Sequence, residues 1–209
     1  MALKPIVMLQ TIADPIWGQP CLAYHVQPDL SLETRMALGE LQNAIAGRWP
    51  VPLHFAPPDA LHVTLYALIG VKDRFDKEGY WSRIAEPCRD LMTSHCAGHG
   101  PLSLQFSQLK VTDAAIIAVA TDETGLIARL REAIAELIPP PPGLEPMRYN
   151  LIHSTLARHR TSDAVPEEAV KAVESIPVAV TAPVDRLRII RETLFPCQAM
   201  DEIFSFPLK

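Results

Sequence analysis

Residues 148–160 read Arg148-Tyr149-Asn150-Leu151-Ile152-His153-Ser154-Thr155-Leu156-Ala157-Arg158-His159-Arg160. The run alternates around His153-Ser154-Thr155-Leu156, which predicts a half-buried strand over 149–158. Residues two apart on a strand share a face, so His153 and Thr155 look out together while Ser154 and Leu156 face the body of the protein. A single His and Thr at this spacing is an ordinary strand pattern. Its weight comes from recurrence. In the first half of the chain Leu61-His62-Val63-Thr64-Leu65 repeats the arrangement, and a strand is expected over 61–69, ended by Gly70. Each tetrad follows a Leu or Ile, and Ala follows at Ala67 and Ala157. Such a long-spaced repeat suggests a duplicated unit.

Two such strands related by a pseudo-twofold would aim both His-Thr pairs into one cleft. One neutral imidazole can then take a proton from an attacking oxygen while one imidazolium gives a proton to the leaving oxygen, with the rings about 5–8 Å apart across one phosphate. A free imidazole pKa near 6.5 makes both protonation states reachable. The hydroxyls of Thr64 and Thr155 would bond the non-bridging oxygens as charge builds on them. No tetrad contains a carboxylate, and the scheme needs no metal or cofactor.

The paired tetrads resemble the 2H phosphoesterase superfamily, defined by two His-h-Thr-h motifs with h apolar, which includes the bacterial 2′-5′ RNA ligase-like proteins and cyclic phosphodiesterases. His62-Val63-Thr64-Leu65 fits at four positions; His153-Ser154-Thr155-Leu156 departs at Ser154. A buried Ser there needs a partner for its hydroxyl. The resemblance implies that His62 and His153 are catalytic and that Thr64 and Thr155 clamp phosphate. It also implies a phosphate contact for Arg158, although strict alternation would turn Arg158 to the opposite face unless a bulge intervenes. Tyr149 is expected to stack on a base. The activity implied is a phosphodiesterase acting on 2′,3′-cyclic phosphates or 2′-5′ linkages of nucleotides or RNA ends. RNA end-processing or ligation on longer RNA, and nucleotide binding without turnover, are the alternatives.

The rest of the sequence bounds these readings. A chain of 209 residues with 48% hydrophobic and 21% charged residues has the composition of a globular protein. A net charge of −5 argues against tight nonspecific nucleic-acid binding and favours a small nucleotide or an RNA end as partner. Cys21, Cys88, Cys96 and Cys197 lack Cys-x-x-Cys spacing, no membrane-spanning apolar run or leader is evident, and a reduced, cytoplasmic monomer is expected.

Residues 1–20, with Pro5, Pro15 and Pro20, read as an extended lead-in. Helices are expected from Ser31 to Ala46, from Trp81 to Ser94 with Pro87 weakening or kinking it, from Glu123 to Ile138, and from Pro166 to Ser175. Strands are expected at 21–26, 102–111, 114–120, 178–180, 186–190 and 204–206. Pro139 to Gly143 reads as a rigid connector. His25 is read as structural, and Arg191-Glu192 as a surface ion pair. The elements mix without the regular alternation of a doubly wound fold. The expected fold is therefore α+β: one bilobal domain over 1–209, its two pseudo-symmetric lobes built of mainly antiparallel sheets flanked by helices around a central cleft.

Overall fold

The computed structural model describes residues 8–209. The first part of the expected lead-in, including Pro5, lies outside them. Its remainder is not featureless: β1 (Met8–Gln10) pairs antiparallel with β8 (Ala164–Pro166).

Two larger antiparallel sheets carry the molecule. In the first, the order is β11 (Ala199–Pro207), β10 (Arg186–Leu194), β2 (Pro20–Pro28), β4 (Tyr66–Ile69). In the second, it is β3 (Leu53–Phe55), β7 (Ile152–His159), β6 (Ala115–Asp122), β5 (Leu102–Val111), β9 (Val180–Val184). The fold is α+β, as the sequence implied. The lobes are not the two halves of the chain, however. Strands from both ends build the first sheet, and β3 from the first half joins the second.

Helix α1 (Leu32–Ala46) starts where Ser31 caps it, the Ser31 hydroxyl accepting from the Thr34 N–H at 3.1 Å. Leu38, Leu41 and Ile45 on its buried stripe, and Gln42 beside them, face the core. Helix α2 (Lys77–Cys96) runs unbroken through Pro87 and begins earlier than expected, because Asp76 caps it through the Gly79 N–H. Tyr80, Ile84, Cys88, Leu91 and Met92 bury a face large enough to outweigh the one hydrogen bond that Pro87 removes. Helices α3 (Leu126–Leu137) and α4 (Glu167–Glu174) complete the set.

The unbroken apolar run of β6 has a simple cause. Ile116, Ala118 and Ala120 belong to the main core, while Ala115, Ile117 and Val119 form a second cluster on the opposite face. A strand at the centre of its sheet buries both faces and shows no alternation. Val119 and Ile117 stand opposite His153 and Thr155 of β7, so this second face backs the candidate site.

Candidate active site

The two tetrads meet directly. The first is not a strand over 61–69: a 3₁₀ turn at Pro58–Ala60 delivers the chain, and only Tyr66–Ile69 forms β4. Between them the segment leaves its own sheet and makes an antiparallel bridge from Val63 to Ser154 on β7. The second strand likewise starts at Ile152 rather than 149. An antiparallel bridge sets the flanking residues opposite one another, so His62 faces Thr155 and Thr64 faces His153. The two histidines then sit on a diagonal, where neighbours are roughly 7–8 Å apart and their Cβ atoms somewhat closer. Val63 and Ser154 are fully buried, and the four flanking side chains share the other face.

Arg158 joins that face through a bulge. Ile117 pairs with Thr155 but Ile116 pairs with Ala157, leaving Leu156 as the extra residue of β7. Leu156 and Ala157 are both buried, and alternation restarts one residue out of phase. The guanidinium is therefore turned to the side of His153 and Thr155. His62, Thr64, His153, Thr155 and Arg158 line one cavity of about 130 Å³, closed by Ala56, Ala60, Phe195 and Pro196. That space suits a phosphoryl group, with any nucleoside extending through the mouth.

Two side chains, the half-buried Arg131 and the buried Gln42, brace this arrangement. Arg131 of α3 donates to the carbonyl of Leu65 at 2.8 Å and to that of Leu151 at 2.9 Å, tying the end of the first tetrad to the approach to the second. Gln42 of α1 donates to the carbonyls of Ala56 and Leu156, each at 2.8 Å, and so holds the bulge itself. Asp14, in the expected lead-in, reaches Arg158 at 3.3 Å, and the guanidinium lies over the Phe195 ring at 4.9 Å.

The electrostatics distinguish the rings. His62 Nδ1 donates to the Ala60 carbonyl at 2.7 Å, which leaves Nε2 as the acceptor nitrogen, met weakly by the Cys197 thiol at 3.6 Å. Burial lowers its pKa to about 4; the Ala60 carbonyl pulls upward, while Arg158, Arg188 and His153 push it further down. His153 is lowered as well, by burial and then by Arg131 and Arg158, and its Nδ1 has no partner among the described residues. Both rings are thus neutral by default and sit among cations able to hold an anion.

Tyr149 is placed away from this cavity. Its hydroxyl accepts from the Ala67 N–H, and its ring packs between Tyr66, at 5.3 Å, and the Arg131 guanidinium, at 4.8 Å. A base-stacking face is not what it presents. Ser154 has no hydroxyl partner among the described residues, so the partner expected for a buried Ser is not there.

Three residues read as bland in the sequence belong here. His25 and Glu192 line the cavity, and Cys197 lies behind it with Sγ 3.6 Å from His62 Nε2. Arg191 and Glu192 part company: Arg191 faces Glu78 at 3.6 Å, and Glu192 turns inward to near-complete burial. Alternation along β10 could have separated those two. Only the pairing of Glu192 with Ala23 and of Ile190 with His25 shows that they share one neighbourhood.

No protein-family model matches the chain, and no curated protein matches its sequence. Solved structures do match its fold. It is similar to TT0787 of Thermus thermophilus, at 21% identity and TM-score 0.62 over 89% of this chain and 97% of that one. It is similar to a phosphoesterase at 16% identity and TM-score 0.62, covering 90% and 99%. It is also similar to Escherichia coli LigT complexed with 3′-AMP at 17% identity and TM-score 0.60, covering 91% and 99%. At such identities the likeness defines the architecture alone: the chain has the fold that these three proteins share. Among the described residues no helix is long and apolar enough to cross a membrane, and the four cysteines are free.

Proposed function

We propose that this protein is a phosphodiesterase of the 2H type, acting on 2′,3′-cyclic phosphates or 2′-5′ bonds of nucleotides or RNA ends through His62 and His153. The bridge between Val63 and Ser154 carries the reading, because it brings both His-Thr pairs around one phosphate-sized space, which Arg158 joins through the bulge at Leu156. His62 is the base. Its proton is fixed on Nδ1 by Ala60, and Nε2, held only by the weak contact with the Cys197 thiol, takes a proton from the attacking water. His153, once protonated beside the bound anion, returns a proton to the departing ribose oxygen. Thr64 and Thr155 donate to the non-bridging oxygens, and Arg158 neutralises the charge that accumulates.

LigT has been crystallised with 3′-AMP and with phosphate, ligands of the same chemical class, which supports a ribonucleotide phosphate as what this cavity takes. The test is hydrolysis of a 2′,3′-cyclic nucleotide in excess EDTA. Turnover should persist in the chelator, since proton transfer and anion binding are supplied by side chains alone. Activity abolished by EDTA and restored by a divalent ion would overturn the mechanism.

A further inference from the structure

His25, Glu192 and Cys197 arrive from three places: β2, β10 and the turn that follows β10. Their ligating atoms all lie within 4.8 Å of one another, and all three residues are buried. We propose that they form a site for one thiophilic divalent transition-metal ion of the Zn²⁺ class, set into the wall of the two-histidine cavity.

The state of each donor supports this. The Cys197 N–H donates to Glu192 Oε1 at 2.7 Å, which orients the carboxylate and leaves Oε2 over. Glu192 Oε2 is buried without a hydrogen-bond partner and stands 3.6 Å from His25 Nε2. That separation is too long for a hydrogen bond. It is close to the roughly 3.3–3.5 Å that separates N and O ligands around a tetrahedral zinc with bonds of about 2.0–2.2 Å. Cys197 has a left-handed backbone, φ 48°, a conformation that is uncommon for a side-chain-bearing residue and that the Glu192 bond helps to hold. Among the described residues its Sγ is met only by weak contacts, Gln27 Nε2 at 3.5 Å and His62 Nε2 at 3.6 Å.

The donor set selects the ion. One imidazole, one carboxylate and one thiol suit zinc and its soft neighbours, whereas Mg²⁺ and Ca²⁺ want six or more oxygens. On binding, the thiol proton leaves to solvent, and thiolate and carboxylate together balance the two charges of the ion. Three protein ligands leave a fourth position open. His25 and Glu192 both border the cavity, so the ion has a path in through its mouth. A small ring movement would let His62 Nε2 take the fourth position. On the acid–base reading above, an ion so placed occupies the base and makes Zn²⁺ an inhibitor. Metal binding itself does not depend on that reading.

The experiment uses the whole protein, reduced and stripped with chelator, titrated with Zn²⁺ in equilibrium dialysis and with Co²⁺ in an absorption spectrometer. The expected result is one ion per chain and a Co²⁺–thiolate charge-transfer band. Cys197→Ser should lose the band, and His25→Ala or Glu192→Gln should weaken Zn²⁺ binding by roughly tenfold or more. His99→Ala, on the far loop after α2, should bind Zn²⁺ unchanged. No stoichiometric Zn²⁺ in the wild type, or a band that survives Cys197→Ser, would overturn the site. Should Cys197→Ser fail to fold, the wild-type spectrum still decides, because bound Co²⁺ without a thiolate band refutes the assignment. Binding without inhibition of cyclic-nucleotide hydrolysis would overturn only the link to His62.

Discussion

Replacing Gln42 by Leu tests whether the bulge that turns Arg158 into the cavity is held from α1. The substitution keeps helix propensity and apolar volume but removes both donors. The Ala56 carbonyl then loses its side-chain donor in a buried setting, a cost of about 1–3 kcal/mol. The Leu156 carbonyl keeps the Ala56 N–H at 3.0 Å, so its loss is nearer 0.5–1.5 kcal/mol. Together the destabilisation should be about 1.5–4.5 kcal/mol, which moves a urea midpoint down by roughly 0.8–2.2 M at an m-value of about 2 kcal/mol/M. Loosening should also let β7 slip toward regular pairing, which would turn Arg158 away from the cavity. KM for a cyclic nucleotide and the inhibition constant of inorganic phosphate should therefore both rise. An unchanged urea midpoint would refute the two hydrogen bonds. A lowered midpoint with unchanged phosphate inhibition would show that the bulge persists without Gln42.

Further outcomes follow from the same geometry. Arg158→Ala should weaken phosphate inhibition and lower kcat/KM, while Thr64→Ala and Thr155→Ala should each cost about 10–10³ in kcat as one hydrogen bond to developing charge is lost, read by steady-state kinetics. With EDTA present, kcat/KM against pH should be bell-shaped with its optimum on the acid side of neutrality. The rising limb follows deprotonation of His62, lowered to about 4, and the falling limb follows loss of the proton from His153, itself below the ordinary 6.5. Burial causes both shifts first; Arg158, Arg188 and the His153 ring add to that of His62, and Arg131 and Arg158 to that of His153. His25, lowered to about 3, and Glu192, raised by burial, line the same cavity from β2 and β10, and Cys197 meets His62 from the following turn. Removing the Arg158 charge should therefore move both limbs to higher pH. An optimum above pH 7 in the wild type would contradict the assignment of base and acid.

Much of this was legible in the sequence because it depends on local periodicity. The tetrads, the four helices and the pair β5–β6 declare themselves through apolar spacing and capping residues. The two-residue repeat also orients His62, Thr64, His153 and Thr155 without knowledge of the fold. What could not be read is what pairing alone creates. Nothing near Val63 announces that it will bridge to Ser154, and no turn residue marks the bulge at Leu156. Short β1, β3 and β8 lack enough residues to show a period, yet β3 holds the far side of β7. Tyr149 illustrates the opposite error: an aromatic beside a motif suggests a ligand contact, but the chain there is still approaching β7, and the Ala67 amide claims the hydroxyl. Glu192 and Cys197 are adjacent to His25 and His62 only because β10 returns from the end of the chain to pair with β2.

The central claim is that two imidazoles act as one unit on one phosphorus atom, and a double-mutant comparison measures this most directly. His62→Ala and His153→Ala should each lower kcat on a 2′,3′-cyclic nucleotide by roughly 10²–10⁴, the range for removing a positioned base or acid. The double variant should be little slower than either single one, because groups acting in the same step lose their effect together. If His153→Ala kept near-full turnover while His62→Ala did not, or if the two losses multiplied, the paired mechanism would be contradicted.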